Sequence, residues 1–271
     1  MSPIGVFDSG YGGLTVLKEI VQAMPAYDYV YLGDNARSPY GTRSFEVVYQ
    51  FTLECVKKLF DMNCHLVVLA CNTASAKALR TIQQKNLPFI DPDRRVLGVI
   101  RPTAEIVGNY TKTNSIGILG TQGTVASLSY LMEIEKFFPN INVYQEACPL
   151  WVPLIENDEH TGNGADYFVK KNIEHLIQKG NDIDTIILGC THYPLLLDKI
   201  KKYTPDHVQI ISQGEIIAKS LKEYLQRHPE MEQKCSKEGN KIFYTTDTTD
   251  IFDKHASEFF GQEVKSRHLA V

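Results

Sequence analysis

Hydrophobic and polar positions along this chain alternate between two periods. Runs of four or five mostly apolar residues recur at Ile4–Phe7, Tyr29–Leu32, Leu66–Ala70, Val96–Ile100, Ser115–Leu119, Asn142–Gln145, Asp184–Leu188, Val208–Ile211 and Lys241–Tyr244, with a last one near Val264. Short apolar runs bounded by turn residues predict buried strands. Between them, apolar residues recur every three or four positions, as in Leu14, Val16, Leu17, Ile20 and Val21, or Phe45, Val48, Phe51, Cys55, Leu59 and Met62 behind the capping Ser44. That spacing predicts amphipathic helices, and it returns over 165–179, 215–225 and 249–260. Strands alternating with helices predict an α/β fold of doubly wound parallel sheets, helices on both faces.

Two stretches share one unusual layout. Leu66-Val-Val-Leu-Ala70 ends in Cys71-Asn72-Thr73 and runs into a helical pattern; Asp184-Thr-Ile-Ile-Leu188 ends in Gly189-Cys190-Thr191-His192, with Pro194 placed to open a helix. Each cysteine falls at the carboxyl end of a predicted strand, where open α/β sheets place their chemistry. The turn Asp8-Ser9-Gly10-Tyr11-Gly12-Gly13 after the first strand has a counterpart in Thr121-Gln122-Gly123-Thr124. Asp8 and Cys71 are 63 positions apart, Thr121 and Cys190 are 69. Matched offsets of this kind are the mark of an internal duplication, so a duplicated fold with a thiol from each half is expected.

The stretch after 210 has no third cysteine unit. It is expected to return to the first sheet, making one domain of 1–98 plus 210–271 and a second of 99–209. Residues 86–95 read as a linker, because Pro92 and a charge cluster interrupt the pattern. The polar stretch 227–240 reads as a surface loop.

Composition narrows the function classes. A net charge of −4 without a cluster of lysines and arginines argues against nucleic acid or an anionic membrane surface as partner. No apolar run approaches a bilayer span, and the start of the chain is not a signal peptide, so a cytoplasmic protein is expected. The six cysteines contain no C-x-x-C and the eight histidines no H-E-x-x-H, which speaks against a disulfide framework and a zinc site. Cys55, Cys64, Cys148 and Cys235 read as structural. The glycine-rich corner after Asp8 lacks a Walker lysine, and its acidic residue would repel a phosphate.

Five blocks together resemble the signatures of bacterial glutamate racemases. They are Phe7-Asp-Ser-Gly-Tyr-Gly-Gly-Leu-Thr-Val16, Gly33-Asp34 through Pro39-Tyr-Gly41, Ala70-Cys-Asn-Thr-Ala74, Gly98-Val-Ile-Arg-Pro102 and Leu188-Gly-Cys-Thr-His-Tyr-Pro194. The likeness runs from residue 4 to about 215. It implies two pseudo-symmetric α/β domains with the active site in the cleft between them, and interconversion of L- and D-glutamate for peptidoglycan without pyridoxal phosphate, metal or other cofactor; a homodimer is expected. By this resemblance Cys71 and Cys190 are the catalytic thiols, helped by Asp8, His192 and the acidic Glu156. Asp8, Ser9, Tyr40, Gly41, Asn72, Thr73, Thr121, Thr191 and His192 would contact the substrate. The chain departs from the pattern in a longer Asp91–Arg95 stretch, and it begins so close to its first motif that no N-terminal regulatory extension is expected.

The chemistry suits these residue types. A racemase takes the weakly acidic α-proton from one face and returns a proton to the other, so two bases on facing half-sites do the work without rotating the intermediate. A free thiol ionises near pH 8.5, and a following helix N-terminus is expected to lower that for both cysteines. Asp8 shares a half with Cys71, and His192 lies two residues past Cys190. Asp8, with Glu156, could hold the substrate ammonium, and neutral donors could hold its carboxylates. Rival readings are a racemase of aspartate or hydantoins, a single-thiol decarboxylase, a Cys–His hydrolase, which leaves Cys71 unexplained, and a non-enzymatic binder of small acids.

Overall fold

The fold was obtained as a computed structural model, which describes residues 1–180 and 182–271. Among the described residues ten strands form two sheets, and every pairing is parallel. The first sheet has the order β10-β9-β2-β1-β3-β4, from β1 (Ile4–Asp8), β2 (Tyr29–Gly33), β3 (Leu66–Leu69), β4 (Arg95–Gly98), β9 (Lys241–Thr245) and β10 (Ser266–His268). The second has the order β6-β5-β7-β8, from β5 (Ser115–Gly120), β6 (Asn142–Ala147), β7 (Thr185–Gly189) and β8 (Gln209–Ile211). The series β2-β1-β3-β4 and β6-β5-β7-β8 are the same order used twice, so the two α/β halves are pseudo-symmetric. β1, β2, β3, β5 and β7 are buried at every residue, as parallel strands covered by helices on both faces must be.

The helices Gly13–Ala23, Gly214–Arg227 and Thr249–Phe260 pack on one face of the first sheet. Their apolar side chains run without a break into those of the second half, where Trp151, Ile155, Val169 and Leu196 belong to the same buried cluster. Separate clusters fill the opposite faces, around Phe7, Val56 and Leu69 in the first half and around Ile118, Tyr130 and Ile134 in the second. Phe45–Asp61 begins where Ser44 accepts a hydrogen bond from the Val47 N–H, at 3.2 Å.

Four expectations need correcting. A division at 209/210 would cut β8, which pairs with β7 in the second sheet as far as Ile211. Residues 87–90 are helical, because the apolar Leu87 is buried on the first half and anchors a turn ahead of Pro92. The stretch 227–240 is only partly surface: Pro229–Glu232 is a helical turn, Met231 and Cys235 are buried, and Ser2 pairs with Cys235. Two apolar anchors four residues apart suffice to pin a segment whose average composition is polar. Pro194 opens a 3₁₀ turn over Tyr193–Leu196, and the α-helix starts only at Leu197.

Candidate active site

In both sheets the chain reverses its winding between the first strand and its neighbour, and ligands bind at the carboxyl ends of strands at such a point. Phe7 pairs with Leu69 at the end of β1 and β3, which sets Asp8 and Ser9 beside Cys71; Gly120 pairs with Gly189, which sets Thr121 beside Cys190. Both thiols line one cavity of about 70 Å³ between the two halves. A water needs roughly 10–15 Å³ of such space, so the cavity suits a small metabolite. No lysine or arginine is among the described residues that line it.

Cys71 caps the helix Asn72–Lys77. Its sulfur accepts the Ala74 N–H at 3.4 Å and lies 3.5 Å from Ser9 Oγ. The expected fall in thiol pKa does not occur here. Burial, reinforced by the nearby Asp8 charge, pushes Cys71 up to about 12, and the helix and Ser9 offset only part of it. Cys190 has no regular helix behind it. Its partner is His192, whose Nδ1 is 3.9 Å from the sulfur and whose Nε2 is 2.9 Å from Glu156 Oε1. Burial disfavours the imidazolium, but hydrogen bonds to Cys190 and Glu156 outweigh it and hold the His192 pKa well above the usual value.

Asp8 is 1% exposed and stands behind the cavity wall rather than in it. Its Oδ1 accepts the Gly10 N–H at 2.8 Å, and Thr191 Oγ1 donates to its Oδ2 at 3.4 Å. Burial raises its pKa; the His192 charge and the Gly10 and Gly13 N–H groups work against that. Asp8 therefore communicates with both halves, toward Cys71 and toward His192. Glu156 lines the cavity, with its Oε1 engaged by His192.

The remaining residues divide by what they have left to offer. Ser9, Gly41, Asn72, Thr73, Thr121 and Thr191 all line the cavity. Thr73 and Thr121 hydroxyls meet across the halves at 2.9 Å. The Gly41 carbonyl accepts the Gly123 N–H at 2.8 Å, a backbone link across the cleft. Tyr40 differs from its expected role, since its buried hydroxyl donates to Asp34 and its contribution to the wall excludes a free phenol.

Sequence reasoning missed the apolar end of the cavity, formed by Pro149, Val152 and Pro153 with Cys148 beside them. The signal was available, because Cys148 directly follows β6 at the carboxyl edge. Gly12 was also missed. A Cβ there would lie 2.3 Å from Thr191 Oγ1 and 2.4 Å from His192 Nδ1, so only glycine lets this turn approach the Cys190–His192 loop.

Known proteins resemble this chain in sequence and fold. The family model for Asp/Glu/hydantoin racemases matches residues 4–221. The glutamate racemase of Bacillus cereus is 41% identical over 267 residues, covering 98% of this chain and 96% of that protein. The crystal structure of glutamate racemase isoform RacE1 from Bacillus anthracis superposes with a TM-score of 0.89 at 36% identity, over 100% of this chain and 98% of that one. Glutamate racemase from Francisella tularensis, solved in complex with D-glutamate, gives 0.87 at 32% identity, over 99% and 97%. With its doubled parallel sheets and paired thiols, the chain belongs to the aspartate/glutamate/hydantoin racemase family, among its glutamate racemases.

Proposed function

We propose that this protein interconverts L- and D-glutamate by proton transfer between two thiols, with no cofactor taking part, and that its D-glutamate goes to peptidoglycan. The observation that carries this reading is that Cys71 and Cys190, at matching positions of a repeated fold, line the same cavity. The racemase relatives support the substrate.

From L-glutamate, Cys190 as thiolate takes the α-proton and becomes a thiol, while the Cys71 thiol gives its proton to the opposite face of the planar carbanion. The bond order at the α-carbon is restored, and the sulfur charges have exchanged places. High Cys71 pKa suits the donor role in this direction. Solvent then resets the pair, with His192 relaying a proton at Cys190 and Asp8 available near Cys71. From D-glutamate the roles reverse. Positioned general acids and bases each contribute about 10²–10⁴-fold, and a dry site with oriented dipoles stabilises the carbanion.

The substrate carboxylates fall to neutral donors, since no lysine or arginine is among the described residues that line the cavity. Ser9, Asn72, Thr73, Thr121 and Thr191, with backbone at Tyr40 and Gly41, are the proposed contacts. We take the enzyme to act as a cytoplasmic homodimer, which sedimentation of the purified chain would check.

Dialysed, chelator-treated protein should erase the optical rotation of L-glutamate and leave aspartate nearly untouched. A need for added pyridoxal phosphate or metal, or a preference for aspartate, would sink the reading. One second reading has its own support: Cys190, His192 and Glu156 line up as nucleophile, base and orienting acid. A hydrolase built on that triad would keep its activity after Cys71→Ala, whereas the racemase would lose it.

A further inference from the structure

Asn72, Tyr130 and Gln213 close a ring of hydrogen bonds that no step above uses. Gln213 Nε2 donates to the Tyr130 hydroxyl at 2.7 Å, and that hydroxyl donates to Asn72 Oδ1 at 2.7 Å. Asn72 Nδ2 donates back to Gln213 Oε1 at 2.9 Å. Gln213 Nε2 also reaches Thr103 Oγ1 at 2.8 Å and the Val99 carbonyl at 3.3 Å. The three ring members come from three places: the helix after Cys71, the helix Ser129–Phe137 of the second half, and the residue before Gly214–Arg227, where the chain leaves β8. All are at most 5% exposed. A buried polar group left alone costs about 1–3 kcal/mol, so this ring stands or falls as a unit.

The ring has a sense, and a backbone group sets it. A carbonyl such as Val99's can only accept, so the Gln213 atom facing it is the amide nitrogen. That nitrogen donates to the Tyr130 oxygen, which leaves the single phenolic proton for Asn72. The Asn72 atom receiving it is therefore the oxygen, and the atom facing Gln213 Oε1 is the nitrogen. Asn72 lines the cavity, and its nitrogen carries a second hydrogen that the ring does not use.

We infer that Gln213 and Tyr130 are positioning residues that lock the Asn72 amide in this sense, so that it offers a substrate carboxylate a donor N–H instead of a repelling carbonyl oxygen. The inference rests on the glutamate reading above. It gains weight from the absence of a lysine or arginine among the described lining residues, because recognition then depends on which way each neutral dipole points.

The test is steady-state kinetics in both directions, with glutamate calorimetry, on wild type, Tyr130→Phe, Gln213→Met, Asn72→Ala and the doubles carrying Asn72→Ala. Tyr130→Phe and Gln213→Met should each raise KM for both enantiomers about tenfold, the order of one hydrogen bond to a charged group, with kcat held within about threefold. In the Asn72→Ala background the same changes should leave KM where Asn72→Ala put it, because the pathway runs through that amide. An unchanged KM in either single variant, with folding verified by thermal unfolding, overturns the inference. So does a KM rise that persists without Asn72. Wild type that racemises glutamate while the cycle is additive removes the ring's role alone; wild type that neither binds nor turns over glutamate removes the underlying reading and the ring with it.

Discussion

His192 Nε2 lies 2.9 Å from Glu156 Oε1, joining the loop after β7 to the end of the short helix Trp151–Glu156. The other ring nitrogen faces Cys190 at 3.9 Å. In the proposed mechanism Glu156 acts on the reaction through the imidazole. Glu156→Gln removes a group that raises the His192 pKa, so His192 should lose its proton at lower pH. The alkaline limb of the kcat profile should move down, and kcat should fall by about tenfold or more. A pH–rate profile superimposable on wild type would refute this coupling.

Cys71→Ala and Cys190→Ala should each stop racemisation in both directions, since every turnover of the proposed mechanism needs one thiol to take a proton and one to give it. Losses of at least about 10³-fold are expected. In D₂O, starting from L-glutamate, early D product should carry deuterium while unreacted L-glutamate stays protiated, with Cys190 serving the L enantiomer and Cys71 the D. Return of the original proton to product, read by mass spectrometry, would point to a single base.

Asp8→Asn and His192→Asn should slow catalysis unequally in the two directions, because Asp8 charges the surroundings of Cys71 and His192 contacts Cys190. The Haldane relation ties the kcat/KM ratio, so the asymmetry must appear in kcat or in isotope effects measured each way. Equal effects in both directions for both variants would count against these roles.

Asp8 also predicts a trade between stability and activity. Burial raises its folded pKa above the unfolded value of 3.8, so the folded state binds its proton more tightly. Its stabilising effect is full below pH 3.8 and is lost as pH rises to the folded pKa, leaving a buried charge that weakens the fold at neutral pH. Asp8→Asn should therefore raise Tm at pH 7, by about 2–4 °C per kcal/mol for a chain near this size, while kcat drops. A lower Tm at pH 7 would contradict the sign.

Gly12→Ala should displace Thr191 and His192, because its Cβ would come within 2.4 Å of both. Overpacking of this kind costs about 1–3 kcal/mol, and a displacement of about 1 Å at a reacting centre can cost 10²-fold in rate. Thermal unfolding and kcat measured together should show the rate loss exceeding what the lost stability explains.

Local pattern alone determined the strands, the main helices and the duplication. Apolar runs and turn residues act over a few positions, and the repeated Cys71 and Cys190 units could be compared directly along the chain. The same pattern put both cysteines at strand ends, and the family resemblance named most of the cavity wall, from Ser9 to Thr191. Tertiary structure decided what depends on partners far apart in sequence. The Cys71 pKa follows from burial against Asp8, which outweighs the helix end that the sequence advertises. Tyr40 spends its hydroxyl on Asp34, Glu156 pairs with His192, and Gln213 meets Asn72 across 141 positions. Met231 and Cys235 become core because the first half leaves a place for them. Burial and long-range pairing are properties of the assembled chain, and no window of sequence contains both partners of such a pair.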